Sequence, residues 1–171
     1  MPIWHLLFMS AASFSSMKLG INPVSGVIDL VIDPTGDGRG RIAIDRTPAT
    51  PLLIALCSDR RAAPDDVVPE MQSASTGTVA PLFSRRGWVG DILLDAGQRY
   101  GARSWLLSRA HASEATRVTA QSYAEEAVAS IADYHGIDIE TAAIWYDKSR
   151  GILLVTASAF GLSVNAPVAT L

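Results

Sequence analysis

Two β-rich runs near the C-terminal end, residues 137–146 and 152–160, are joined by Asp147-Lys148-Ser149-Arg150-Gly151. A polar, glycine-closed turn between such runs reads as a β-hairpin and commits this end of the chain to antiparallel sheet. Immediately upstream the apolar period changes: Ala124, Ala127, Val128 and Ile131 fall on one helical face, with Ser113 as the cap and Gly136 as the stop. Alternation returns at the other end, where Ile28, Leu30 and Ile32 alternate with Val27, Asp29, Val31 and Asp33, and residues 41–45 form a second short run after a glycine-rich connection. Strands, then helices, then strands favour a single α+β domain. The expected architecture is a small, mostly antiparallel sheet with N-terminal and C-terminal β-hairpins and about four helices packed on it.

Between the ends, Thr47-Pro48 marks a helix start, and Leu52, Leu53, Leu56 and Cys57 supply an apolar face that stops at Ser58-Asp59-Arg60-Arg61. Cys57 reads as a small packed hydrophobe. Residues 63–84 are rich in Ser, Thr, Pro and Gly without an apolar period, which predicts a long exposed loop. Helical character resumes over 88–94 and 103–110.

At 171 residues the chain suits one domain with a sizeable core. Its net charge of -3 argues against nonspecific nucleic-acid binding, which needs a basic surface. One cysteine excludes an internal disulfide framework and leaves too few thiols for a structural zinc site. Residues 1–17 are nearly uncharged but have no positive stretch before the apolar part, so a signal peptide is disfavoured. The preferred start is Met17, with 1–17 read as a non-native or disordered extension, 18–161 as the domain and 162–171 as a tail. The uncharged stretch 151–171 is broken by Gly161, Asn165 and Pro167 and is not read as a membrane span.

The chain's densest motif is Arg85-Arg86-Gly87-Trp88-Val89-Gly90-Asp91, followed by Gly101-Ala102-Arg103-Ser104-Trp105-Leu106-Leu107-Ser108-Arg109. Arg and Trp concentrate binding energy at interfaces, and glycines beside them permit tight turns. From spacing alone a helical hairpin with ordinary core tryptophans fits equally well. Taken with Leu56-Cys57-Ser58-Asp59-Arg60-Arg61-Ala62, then Asp65-Asp66 and Pro69, the pattern resembles the tail baseplate protein family of Mu-like bacteriophages. The resemblance covers roughly residues 18–160, most firmly 52–109. The chain departs from the family's pattern at Val89, where a second Trp would stand, around Ala102 and Ser104, and by an apparent insertion over 72–80.

The resemblance implies a non-enzymatic subunit of a contractile tail baseplate, similar to the sheath-initiator subunits that bridge wedge and sheath. Implied partners are other baseplate wedge, tail tube and sheath proteins, with six copies per baseplate, no nucleic acid and no membrane. The implied location is the virion, after assembly in the host cytoplasm, and no cofactor is implied. The interface or structural motif residues are Asp59, Arg60, Arg61, Asp65, Asp66, Arg86, Gly87, Trp88, Gly90, Asp91, Trp105 and Arg109. The terminal hairpin would offer a free edge for strand addition.

Other chemistry is weaker. Asp33-Pro34-Thr35-Gly36-Asp37-Gly38 opens like a calcium loop, but Thr35 stands at the third position and Ile44 at the twelfth, where a bidentate Glu is needed. Asp65, Asp66, Glu70 and Asp91 invite a two-carboxylate, lysozyme-like peptidoglycan hydrolase as the alternative. The usual fate of such acids is pairing with guanidinium groups, here Arg60, Arg61, Arg85 and Arg86. His5, His111 and His135 have no metal-ligand spacing, and no nucleotide-binding motif is present.

Overall fold

In a computed structural model the residues described are 13–21, 24, 28–69, 84–95 and 97–170. In chain order the elements are β1 (Ser16–Met17), β2 (Leu19–Ile21), β3 (Ile28–Leu30), β4 (Ile32–Gly36), β5 (Arg39–Ile42), β6 (Ile44–Asp45) and helix α1 (Ala49–Cys57). Two 3-10 turns follow, Val89–Leu93 and Ser104–Arg109, and then helix α2 (Glu114–His135) and strands β7 (Glu140–Asp147), β8 (Ile152–Ala159) and β9 (Leu162–Ala169). The molecule is α+β, with several small antiparallel sheets and the main helices packed on the C-terminal one.

The core sheet has the order β7-β8-β9. Its inner face presents Ala143, Leu153, Val155, Ala157, Ala159, Ala166 and Val168 to Leu52, Ala55 and Leu56 of α1 and to Ala120, Ala124, Ala127, Val128 and Ile131 of α2. Eight of these fifteen side chains are alanines, interleaved with the larger Leu52, Leu56, Leu153 and Ile131. Ser113 caps α2 by accepting the Thr116 N–H at 3.1 Å, and Gly136 ends it in the left-handed region at φ 61°. Asp45 organises the start of α1: one carboxylate oxygen accepts the Thr47 N–H and hydroxyl at 2.9 and 2.6 Å, and the other accepts the Thr50 hydroxyl at 3.0 Å. Burial opposes ionisation of Asp45, but the bonds from Thr47 and Thr50 outweigh it and hold the pKa below the usual 3.8.

Residues 162–169, expected to be a tail, are the third strand of this sheet. Phe160 and Gly161 form a two-residue turn with φ of 53° and 75°, the positive pair that a tight hairpin requires, and all eight residues of β9 register against β8. Thr170 then closes the edge by donating its N–H to the Gly151 carbonyl at 2.7 Å.

The N-terminal strands exchange partners instead of forming one hairpin. β1 pairs β6, β2 pairs β3 and β4 pairs β5, all antiparallel. At the junction three backbone bonds close a ring: Val31 N–H to Lys18 O at 2.9 Å, Ala43 N–H to Val31 O at 2.9 Å and Lys18 N–H to Ala43 O at 2.8 Å. The expected pairing of 27–33 with 41–45 is therefore corrected. Only Ile32 onward pairs with β5, while Ile28–Leu30 turns back onto β2; Val27 lies outside the described residues. The calcium-like segment is the tip of the β4–β5 hairpin, with positive φ at Gly36, Asp37 and Gly38.

The boundary expected at residue 17 also shifts. Phe14 is 6% exposed and joins the core cluster, its ring 4.1 Å from that of His135 and 6.5 Å from that of Phe160, and Ser16 and Met17 pair with β6. Residues 1–12, and the proposed insertion at 72–80, lie outside the described residues. The predicted loop at 63–84 begins as packed chain: Val68 is fully buried with Ala62, Trp105 and Leu106. Cys57, expected to be packed, is exposed because it falls on the outer side of the last turn of α1. No helix among the described residues is long and apolar enough to cross a membrane.

Candidate functional site

The segment after α1 runs as a spine through the motif. On one side Arg60 N–H donates to Ala102 O at 3.0 Å and Ala102 N–H to Ser58 O at 2.8 Å, a parallel bridge centred on Asp59 and Ala102. On the other side Ala62 N–H donates to Arg85 O at 3.0 Å. Glycines make both approaches feasible. Gly101, at φ +99°, sits where a Cβ would strike the Ser58 carbonyl and come within 3.0 Å of Arg60 N; Gly87, at φ +114°, would place one 2.8 Å from Arg61 Cβ.

Across this spine runs one charged network whose hub is Arg103. Its Nη1 donates to both Asp66 oxygens at 3.0 Å, its Nε donates to Glu126 Oε2 at 2.8 Å, and its plane lies 4.8 Å from the Tyr123 ring centroid. Burial disfavours the charged guanidinium, but the bonds and charges of Asp66 and Glu126 more than compensate and raise its pKa. Glu126 also faces Arg60 Nε at 3.4 Å, and Arg60 Nη1 donates to Arg99 O at 2.6 Å. Asp66 takes a further bond from the Ala63 N–H at 2.8 Å. Arg85 donates to the carbonyls of Ala63 and Pro64. Forked donors suit this arrangement, since each guanidinium spans two acceptors on different segments.

Trp105 and Trp88 divide the labour. Trp105 is buried, donates its indole N–H to Arg60 O at 2.9 Å, and carries the Arg86 guanidinium 4.6 Å above its ring. Arg86 in turn donates to Asp59 Oδ2 at 2.8 Å. Trp88 is 45% exposed and stands 5.5 Å from Tyr100; its ring lies over Gly90, where a Cβ would collide with it. Asp91 Oδ1 accepts the Tyr100 N–H at 3.0 Å, while Asp91 Oδ2 is buried without a hydrogen bond and 4.0 Å from Arg99 Nε.

The structure thus brings together Asp59, Arg60, Asp66, Arg86, Gly87 and Trp105 around the spine, with Arg61, Trp88, Gly90 and Asp91 along its outer side. Asp65 and Arg109 are exposed and stand apart from the network. The pairing expected between the Asp65-Asp66-Glu70 group and Arg60, Arg61, Arg85 and Arg86 is corrected: Asp66 pairs with Arg103, and Arg60 with Glu126. Glu70 lies outside the described residues. Arg103, Glu126, Tyr100 and Tyr123 are the participants that pattern reading missed. Glu126 is one turn-face residue among several on α2, and nothing local to it signals a partner 23 positions away. Among the described residues no group of three or more His, Cys, Asp or Glu is placed to hold a metal ion.

The fold is a small α+β domain in which a partly exposed network of arginines, carboxylates and carbonyls ties the segment after α1 to the motif turns and to α2. The family profile described as Phage protein GP46 matches residues 48–163, from the start of α1 into β9, and the chain belongs to that family. It is similar to baseplate protein gp46 of Escherichia phage Mu, with 37% identity over 99 residues, which cover 54% of this chain and 60% of that protein. The matched part therefore spans less than two thirds of the relative.

Proposed function

We propose that the protein is a structural, non-enzymatic component of a contractile phage or prophage tail baseplate. The observation that carries this reading is its membership in the Phage protein GP46 family across residues 48–163, supported by the likeness to the Mu baseplate protein. In this role it sits in the virion in six copies around the tube, contacts wedge, tube and sheath proteins, acts like a sheath initiator, and is assembled in the host cytoplasm. Two surfaces favour assembly. The edge strand β7 exposes Ile144 and Tyr146 on the face away from the helices, and the Trp88 turn exposes further apolar side chains. Strand addition at β7 is the proposed mode of contact. Arg117 Nη1 already donates to Ala143 O at 3.0 Å, so an incoming strand displaces that bond or pairs beyond it.

A lysozyme-like hydrolase needs two available carboxyl groups across a substrate cleft. Asp66 spends both oxygens on Arg103, and Asp91 has one oxygen on a backbone N–H and the other buried. These engagements weigh against Asp66 and Asp91 as the catalytic carboxyls, while Asp65 is exposed and Glu70 lies outside the described residues. The test is interruption of the gene in its phage or prophage and negative-stain microscopy of the particles. Missing baseplates or unsheathed tubes, restored by the full chain, support the role; sheathed tails of normal length refute it.

A further inference from the structure

Beside the charged knot lies a cleft of about 670 Å³ whose lining includes Arg61, Arg86, Trp88, Asp91, Ile92 and Arg99. Its three guanidinium groups are not equivalent. Arg86 is committed to Asp59 and to the Trp105 ring. Arg99 donates to the Gln98 carbonyl at 2.8 Å and stands 4.0 Å from Asp91, outside hydrogen-bond reach. Arg61 is exposed and has no hydrogen-bond or ion-pair partner among the described residues. Its backbone is nonetheless tightly held, because the Gly87 backbone packs against its Cα and Cβ and Ala62 is bonded to Arg85. A fixed stem with a free fork is a pre-organised anion donor.

The opposite lip is apolar. Trp88 is half-exposed, and the 3-10 turn Val89–Leu93 leaves Val89, Ile92 and Leu93 more than four-fifths exposed, an unusual concentration for five residues. Between lip and guanidinium lies Asp91, whose side chain is only 10% exposed and whose Oδ2 has no hydrogen bond. A buried acceptor left without a donor is costly and rare in an isolated chain. One cleft thus combines an unused donor fork, an unused acceptor and an uncovered apolar surface, with three positive charges against the single carboxylate of Asp91.

We propose that this cleft is a docking site for an acidic-aliphatic segment of a neighbouring protein. The carboxylate of that segment pairs with Arg61, a branched aliphatic side chain covers Trp88 and Ile92, and a donor on the segment reaches Asp91 or draws Arg99 onto it. Charge complementarity selects the occupant: net positive lining favours an acid, and the apolar lip requires an aliphatic group beside it. The site gives a partner chemistry to the assembly role proposed above, and it rests on that role only for the partner being a tail protein.

The test is a nuclear magnetic resonance titration of the full, nitrogen-15-labelled chain with acetyl-glycyl-aspartyl-leucyl-glycinamide. Saturable shifts of the Trp88 indole and the Gly87 and Val89 amides are expected, with a dissociation constant on the order of 1 mM. Replacing aspartyl by asparaginyl, or leucyl by glycyl, weakens binding about tenfold in each case, as loss of a charge-assisted bond or of a buried aliphatic group dictates. Arg61→Gln weakens the aspartyl probe about tenfold and leaves the asparaginyl probe unchanged; because Arg61 is exposed and has no partner among the described residues, the rest of the spectrum stays in place. Ile92→Ser is the second variant and weakens both probes alike. Equal binding of the aspartyl and asparaginyl probes, shifts elsewhere on the protein, or equally strong shifts from inorganic phosphate overturn the proposal. None of these outcomes touches the tail-assembly role, which is read on particles and not on the isolated chain.

Discussion

Replacing Phe14 by Ala in the full chain destabilises the fold although Phe14 lies only two residues into the described structure. The ring is 6% exposed and packs on His135 at the end of α2 and on Phe160 at the β8–β9 turn. Phenylalanine-to-alanine changes in cores cost about 3–5 kcal/mol through lost transfer energy and the cavity left behind. The Phe160 side of the contact is largely open to solvent, so the lower end applies, about 3 kcal/mol. For a chain of this length that is a fall in melting temperature of about 6–12 °C. Urea unfolding followed by far-ultraviolet circular dichroism reads it as a lower midpoint with an unchanged slope. A cycle with Phe160→Ala isolates an edge-on aromatic coupling of about 0.5–1.5 kcal/mol. A loss below about 1 kcal/mol for Phe14→Ala, or equal stability of a chain started at Met17, would refute the placement of this segment inside the fold.

Other changes act at the charged knot and at α1. Arg103→Met leaves Asp66 and Glu126 without their shared cation; the partners are only partly buried, so the expected loss is about 1–2 kcal/mol, read by denaturant midpoint, with Lys retaining part of it. Trp105→Phe removes the indole bond to the Arg60 carbonyl and costs about 1–2 kcal/mol in the same assay. Gly101→Ala forces a side chain into a positive-φ site against the Ser58 carbonyl and lowers the midpoint more than any surface alanine substitution does. Asp45 has a folded-state pKa below 3.8, so its stabilisation is fully present above that value and is lost as pH falls through the depressed one. A wild-type stability profile that declines below about pH 4, and an Asp45→Asn profile that declines less steeply there, are expected from acid unfolding curves.

Much of the architecture is legible locally. Ser113 and Gly136 bracket α2 because capping and left-handed termination are properties of single residues, and the 147–151 turn declares its hairpin through polar residues and glycine. The third strand is not, because its turn is Phe160-Gly161, which lacks the usual Asn-Gly or Asp-Gly signal, and Pro167 argues against a strand except at a sheet edge, where it lies. Alternation in 28–45 announces extended chain but carries no information on partners, so the exchange at Lys18, Val31 and Ala43 appears only in three dimensions. At the site, Asp59, Arg86 and Trp105 all belong to the sequence motif, but its spacing carries no information on their contacts; the Arg86 bond to Asp59 and its stacking on Trp105 appear only in three dimensions. Partner choice was invisible: α2 carries Glu126 to Arg60 and Arg103, outcompeting the sequence-near Asp65.

The most direct test of the baseplate role is single-particle cryo-electron microscopy of purified tails from the phage or prophage that encodes the chain, averaged with six-fold symmetry at the tail end. The account predicts six copies of this α+β domain in the baseplate, with a neighbouring strand beside β7. Complete tails in which the chain is absent, or present away from the baseplate, would contradict it.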